Sequence, residues 1–197
     1  GYGSFLTPYS VYDVHLTSSI KTLRKKDEVL GGYNPENYIS ERIWAPTHDG
    51  KRVAITLLYK KGIDLKGNNP CFLWGYGSYG ATYDPWFSSN IFSLVDRGVV
   101  YARAHIRGSS FMGRQWYLDG KLNNKKNTFK DFISAGRHLS DEGITSPNKL
   151  AIYGGSAGGL LIGAVMNMAP ELCKVAIPDV PFVDVINTML DESIPLT

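Results

Sequence analysis

The sequence predicts an α/β fold built on a mostly parallel, doubly wound sheet. Short apolar runs with strand character alternate with amphipathic helical stretches along most of the chain. An Asp49-Gly50 pair joins two longer strand-like runs, the signal of a hairpin that feeds antiparallel strands into such a sheet. In Lys149-Leu-Ala-Ile-Tyr-Gly-Gly-Ser-Ala-Gly-Gly-Leu-Leu-Ile162, an apolar run ends in a glycine pair, a serine stands among small residues, and apolar side chains then recur at helical spacing.

Residues 1–37 read differently from the rest. Ser10 to Leu16 alternates imperfectly, Thr17-Ser18-Ser19 is a turn, and Ile20 to Leu30 is a second, charged extended run. Two such strands cannot bury a face alone, and they fit the end of an all-β unit such as a propeller blade. Gly31-Gly32-Tyr33-Asn34-Pro35 is the natural linker. From Tyr38 the pattern strengthens. Ile39 to Ala45 and Arg52 to Tyr59 form the hairpin, Lys60 to Asn69 a polar loop, and Pro70 to Trp74 a buried strand running into Gly75-Tyr76-Gly77-Ser78-Tyr79-Gly80. Ser88 to Arg97 is a helix stopped by Gly98. Val99 to Ile106 is a strand, Thr128 to Leu139 an amphipathic helix, and Val175 to Ile177 a last strand after the serine segment. The chain shows no internal repeat.

The 197 residues are 43% hydrophobic and 20% charged, a globular composition. A net charge of +3 is too mild to argue for nucleic acid, and no apolar run has the length of a membrane span. The basic stretch from Lys121 to Lys130 reads as a solvated loop, and two cysteines, Cys71 and Cys173, imply no disulfide framework but buried thiols in a reducing cytosol. The chain opens at Gly1 rather than Met and reads as a piece of a longer polypeptide.

Strand, tight turn with serine, then helix is the context that makes Gly154-x-Ser156-x-Gly158 a nucleophile elbow. A serine hydrolase needs donors for the oxyanion that forms on attack. One is the N–H of the residue after the nucleophile, here Ala157, and another comes from an early strand-to-helix loop, here Gly75 to Gly80 with the Tyr76 hydroxyl. That loop also matches a G-x-G-x-x-G dinucleotide fingerprint, with Asp96 about twenty residues on. The fingerprint needs a helix to open at once, and Ala81 to Trp86 is loop chemistry instead. In a hydrolase of this type the acid and the histidine follow the serine in the chain. His15, His48, His105 and His138 all precede Ser156, so the catalytic acid and base are expected beyond Thr197, and His105 at a strand end and His138 on a helix are read as structural. Asp84 and Asp191-Glu192 suit either a cationic substrate group or turn capping.

With these residues in place, the chain resembles the prolyl oligopeptidase family of serine peptidases, in its oligopeptidase B branch. The matching segments include Val29 to Pro35, Ser40 to Ala45, Tyr76 to Ala81, His105 to Gly108, Met112 to Tyr117, Lys125 to Phe129, Gly154 to Gly159, Val180 to Asp184 and Met189 to Thr197. The resemblance implies a β-propeller capping an α/β-hydrolase domain, with residues 1–37 as the propeller's last strands and linker and 38–197 as the amino-terminal part of the catalytic domain. It implies a cytosolic enzyme without metal or organic cofactor that cleaves short peptides after Arg or Lys. It makes Ser156 the nucleophile, Tyr76 and Ala157 the oxyanion donors, and Asp84 and Asp191 substrate-binding acids, with the principal acid for the basic side chain just past Thr197. One departure stands out. The family follows its His-x-Arg-Gly with further glycines and a glutamate, where this chain has Ser109-Ser110-Phe111.

Overall fold

The computed structural model describes residues 1–84 and 86–194. The last residues of the matched segment ending at Thr197 lie outside the described residues. Strands β1 (Ser10–Val14) and β2 (Lys21–Lys26) form a two-stranded antiparallel sheet. Its second strand is exposed along its whole length, as the charged run Lys21 to Lys26 dictates. After the Gly31-Gly32 linker come β3 (Tyr38–Pro46) and β4 (Arg52–Lys60), paired antiparallel from Tyr38–Lys60 to Pro46–Arg52 around the Asp49-Gly50 turn. Strand β4 is buried from Val53 to Tyr59, because it is covered on both faces.

The chain then alternates: β5 (Cys71–Trp74), α1 (Ser89–Val95), β6 (Val100–Ala104), α2 (Arg114–Leu118), α3 (Lys126–Asp141), β7 (Leu150–Gly155), α4 (Ala157–Met168), β8 (Val175–Asp179) and α5 (Val185–Leu190). The large sheet has the order β3-β4-β6-β5-β7-β8. Strand β4 meets β6 antiparallel, and β6, β5, β7 and β8 run parallel. The doubly wound sheet entered through a hairpin is the architecture the sequence predicts. From β5 the chain crosses to β6 on one side and later to β7 on the other. This reversal leaves a crevice at the carboxyl ends of the strands, where such sheets hold their ligands.

One core lies where α3 and α4 cover the sheet, with Leu73, Ala102, Phe132, Leu139, Ile152, Leu161 and Val165 among its members. A second core forms from Leu58, Phe92, Val95 and Tyr101, and Phe5 and Tyr33 from the first segment pack into it. Residues 1–37 are therefore anchored to the large sheet by two aromatics, which their polar strands do not suggest.

Two segments depart from the expectation. Helix α2 lies inside a stretch that carries no clear helical period. The Lys121 to Lys130 run is not a solvated loop: it makes a 3-10 turn at Leu122–Asn124 and then opens α3 at Lys126, with Lys125 half-buried. Here Thr128 and Phe132 face the core, and their burial pulls the basic run into helix. Cys71 and Cys173 are free thiols. Among the described residues no helix is long and apolar enough to cross a membrane, and no cluster of side chains is arranged to hold a metal.

Candidate active site

The carboxyl ends of β5, β6 and β7 bring three loops together. Trp74 pairs with Tyr153 across β5 and β7, and the Gly75 N–H donates to the Tyr153 carbonyl at 3.1 Å. The Gly75–Gly80 loop therefore leaves the sheet level with the turn that follows Tyr153.

In that turn Ser156 has φ 56° and ψ −116°, a conformation costly for a residue with a side chain. Its backbone is pinned on both sides. The Ser156 N–H donates to Asp179 O at 2.9 Å, and its carbonyl accepts from the N–H groups of Gly159, Leu160 and Phe182. Strand and helix approach closely enough that a Cβ on Gly154 would lie 2.3 Å from Gly158 O, so only glycine fits there. The serine side chain is exposed, and among the described residues nothing hydrogen-bonds to its hydroxyl.

Ala157 is buried and opens α4. Its N–H falls in the first helical turn, where no intrahelical acceptor exists. Among the described residues it has no hydrogen-bond partner, so it is free to donate to a ligand. The Tyr76 ring lies against the same turn: a Cβ on Gly158 would sit 3.3 Å from it. Tyr76 also packs edge-on against Tyr83, with ring centroids 5.0 Å apart. Burial, and then the neighbouring Tyr83 and Tyr79, raise its pKa above the ordinary tyrosine value, so the phenol keeps its proton. Tyr76 therefore packs against the helical turn that follows Ser156 and opens with the Ala157 N–H.

Beside Ala157 opens a groove of about 450 Å³, lined by Tyr79, Tyr117, Lys121, Lys125, Leu160 and Phe182 among others. It carries two lysines and no carboxylate from the described residues. Asp84 lies elsewhere, in the exposed loop after Tyr83. Its carbonyl accepts from Arg103 at 2.8 Å, while its carboxylate is unengaged among the described residues. Asp191 follows α5, and its carboxylate accepts from the N–H (2.9 Å) and the hydroxyl (2.6 Å) of Ser193. Those two bonds hold a turn and lower its pKa, which is the capping role weighed for it.

The histidines stand apart from Ser156. His15 bonds within its own turn to Ser18, and His138 lies on α3. His105 is buried at the end of β6 with its Nε2 2.8 Å from the Thr56 hydroxyl. Burial, followed by Arg42 and Arg103, pushes its pKa down to about 3. Phe111, where the family's glutamate is expected, stacks on the His105 ring at 3.9 Å with the Arg42 guanidinium 4.9 Å from its centre. A small cavity lined by Trp74, Tyr76, Tyr83, His105 and Phe111 is therefore walled by aromatics on this side.

Sequence reasoning missed the scaffold behind these groups. Arg107 is 1% exposed and Asp131 0%. The Arg107 guanidinium donates to both Asp131 oxygens, at 2.8 and 2.5 Å, and to Asp49 at 2.6 and 3.2 Å. Arg107 holds the Asp49 carboxyl well below the usual carboxylate range. The network ties the loop after β6 to α3 and to the β3–β4 hairpin. That loop in turn braces the Gly75–Gly80 loop, with Gly80 N–H to Gly108 O at 2.9 Å and Ser110 N–H to Gly80 O at 3.1 Å. The available signal was Asp131 itself, an acid on the apolar face of α3 between Thr128 and Phe132.

Comparison with known proteins agrees with this geometry. Residues 85–197 match the sequence profile of the prolyl oligopeptidase family. The chain is 51% identical over 197 residues to dipeptidyl aminopeptidase BI of Pseudoxanthomonas mexicana, covering 100% of this chain and 27% of that protein. It is 49% identical over 196 residues to protease 2 of Moraxella lacunata, covering 100% of this chain and 28% of that protein. Among solved structures, oligopeptidase B from Trypanosoma brucei with covalently bound antipain, in its closed form, superposes with TM-score 0.93 at 49% identity, covering 100% of this chain and 28% of that one. Oligopeptidase B from Leishmania major does so with TM-score 0.93 at 47% identity, covering 100% and 27%. The chain spans about a quarter of the length of these relatives. By its match to the family profile over residues 85–197, the chain belongs to the prolyl oligopeptidase family.

Proposed function

We propose that this chain is the nucleophile-bearing part of a serine oligopeptidase that hydrolyses short peptides after Arg or Lys. The observation that carries the reading is the elbow. Ser156 is exposed in a pinned left-handed turn, with an unpartnered Ala157 N–H beside it and the protonated Tyr76 phenol packed on Gly158. Ser156 Oγ attacks the carbonyl carbon after the basic residue while a histidine takes its proton. The carbonyl oxygen becomes an oxyanion that accepts from Ala157 N–H and Tyr76 O–H. The amine then leaves with that proton, and water hydrolyses the acyl-enzyme.

None of the four histidines reaches Ser156, so the base and its acid come from polypeptide outside these 197 residues, and the chain by itself is inactive. Residues 38–197 are the amino-terminal part of an α/β-hydrolase catalytic domain. Residues 1–37 are the last strands and exit linker of a β-propeller, which fits a β1–β2 pair that bonds to no other strand among the described residues. Asp84, with its free carboxylate, and Asp191 are the acids this chain offers to a basic substrate. The two lysines in the groove beside Ala157 require a further acid from outside the chain to balance a substrate cation there.

The test compares peptidyl-arginine amides with simple aryl esters on the full-length polypeptide that carries this segment. Turnover of the arginine amides with strong preference over neutral residues supports the reading. Ester turnover with no arginine preference would instead identify an esterase or acyl-aminoacyl peptidase on the same scaffold.

A further inference from the structure

We infer that Lys125 is a positioning residue of the oxyanion site, whose ammonium holds the Gly75–Gly80 loop and so sets where the Tyr76 hydroxyl lies. The inference rests on the reading of Ser156 and Tyr76 above.

Lys125 Nζ donates to the Gly77 carbonyl at 2.6 Å and to the Ser78 hydroxyl at 2.8 Å. Both acceptors belong to the residues directly after Tyr76. Ser78 is buried, and among the described residues no backbone N–H reaches Gly77 O. A buried carbonyl left without a donor is costly, and here the lysine supplies the donor. The loop also needs an outside hold. Gly77, Tyr79 and Gly80 have φ of 71°, 59° and 69°, so the segment has no regular ladder of its own and places a non-glycine residue in the left-handed region. There is no slack at Gly77 either, since a Cβ there would come 2.4 Å from Thr128 and 2.8 Å from Ile106.

The placement is otherwise an unfavourable one for a lysine. Lys125 immediately precedes α3, at the end of a helix where the macrodipole disfavours a cation. No carboxylate pairs with it among the described residues, and burial pulls its pKa down to about 8. Its Nζ also lies 5.9 Å from the centre of the Phe129 ring. A half-buried, unpaired ammonium in this position makes physical sense through the two bonds it donates to the loop. It also lines the groove that Ala157 lines, so both sides of the oxyanion site border one space.

The experiment uses the full-length polypeptide and a peptidyl-arginine amide. Lys125→Met is expected to lower kcat about 10- to 100-fold, less than outright loss of an oxyanion donor, with KM changed less than about threefold. Lys125→Arg, which keeps a charged donor, recovers part of the loss. Affinity for a peptidyl-arginine aldehyde, which forms a tetrahedral adduct on the serine, falls in parallel with kcat, while affinity for the uncleaved product peptide does not. Because Lys125 acts through Tyr76, adding Lys125→Met to Tyr76→Phe costs little further. Where Lys125→Met fails to fold, Ser78→Ala removes one of the two acceptors and gives a smaller loss with the same signature. Multiplicative effects in the double variant, or a change confined to KM, would overturn the inference. If Tyr76→Phe lowers kcat and neither Lys125→Met nor Ser78→Ala does, the Lys125 role fails alone. If Tyr76→Phe and Ser156→Ala both leave the rate intact, the site reading beneath it fails, and the inference with it.

Discussion

Tyr76 and His105 sit on neighbouring loops, and their surroundings tune them in opposite senses. The Tyr76 phenol is kept protonated by burial beside Tyr83 and Tyr79, ready to donate. Replacing Tyr76 with Phe keeps the ring on Gly158 and removes only the hydroxyl. On the full-length polypeptide this is expected to lower kcat by about 10² to 10³, as for other single oxyanion donors, with little change in KM. His105 is kept neutral, with its pKa near 3 against an ordinary 6.5. The folded state then binds fewer protons than the unfolded one between those values. His105 therefore contributes stability that is fully present above pH 6.5 and is lost as pH falls toward 3. His105→Gln should flatten the stability profile on that side, measured as Tm between pH 7 and 4. An unchanged slope would show that other groups dominate acid unfolding.

At the scale of elements, the site is held by what lies under it. Helix α3 carries Asp131 inward to meet Arg107 from the loop after β6, and Asp49 from the β3–β4 turn completes the grip. Removing one partner of such a buried pair leaves the other uncompensated. Asp131→Ala is expected to cost about 3–5 kcal/mol in stability, read from the urea midpoint, and to loosen the Gly80–Gly108 brace enough to lower kcat as well. Loss of kcat without loss of stability would mean that Asp131 acts on the chemistry rather than on the scaffold. These elements also mark how far the sequence could be read. The strands, α1, α3 and the Ser156 turn announce themselves through apolar period and glycine placement, which are local properties. Asp131, Lys125 and Arg107 do not, because their partners lie far along the chain and composition alone makes them look like solvated charges. Helix α2 was hidden for a related reason: it is five residues long and buries only Trp116, so it shows no period. The turn at Asp191 and Ser193 is local as well, its partners two residues apart, and turn capping is one of the two readings the sequence offers for Asp191.

For the whole molecule, the uncovered side of the sheet matters most. Among the described residues strand β8 pairs only with β7, and Val175 and Ile177 on it, with Val180, Val183, Ile186, Met189 and Leu190 around α5, are exposed. Monomeric proteins seldom present an open strand edge together with this much apolar surface. The 197-residue chain alone is therefore expected to self-associate with rising concentration in sedimentation velocity and to bind a hydrophobic dye. A monomer at every concentration that binds no dye would contradict this.

The central claim is that Ser156 is the nucleophile and that its base is supplied from outside these residues. Labelling with a fluorophosphonate, followed by mass spectrometry of the modified peptide, tests both halves at once. The full-length polypeptide should be labelled rapidly at Ser156 and not at all there in the Ser156→Ala variant, while the 197-residue chain should be labelled at no appreciable rate. Rapid labelling of the short chain at Ser156 would place the base among the residues described here, and labelling of the full-length polypeptide at another serine would remove Ser156 as the nucleophile.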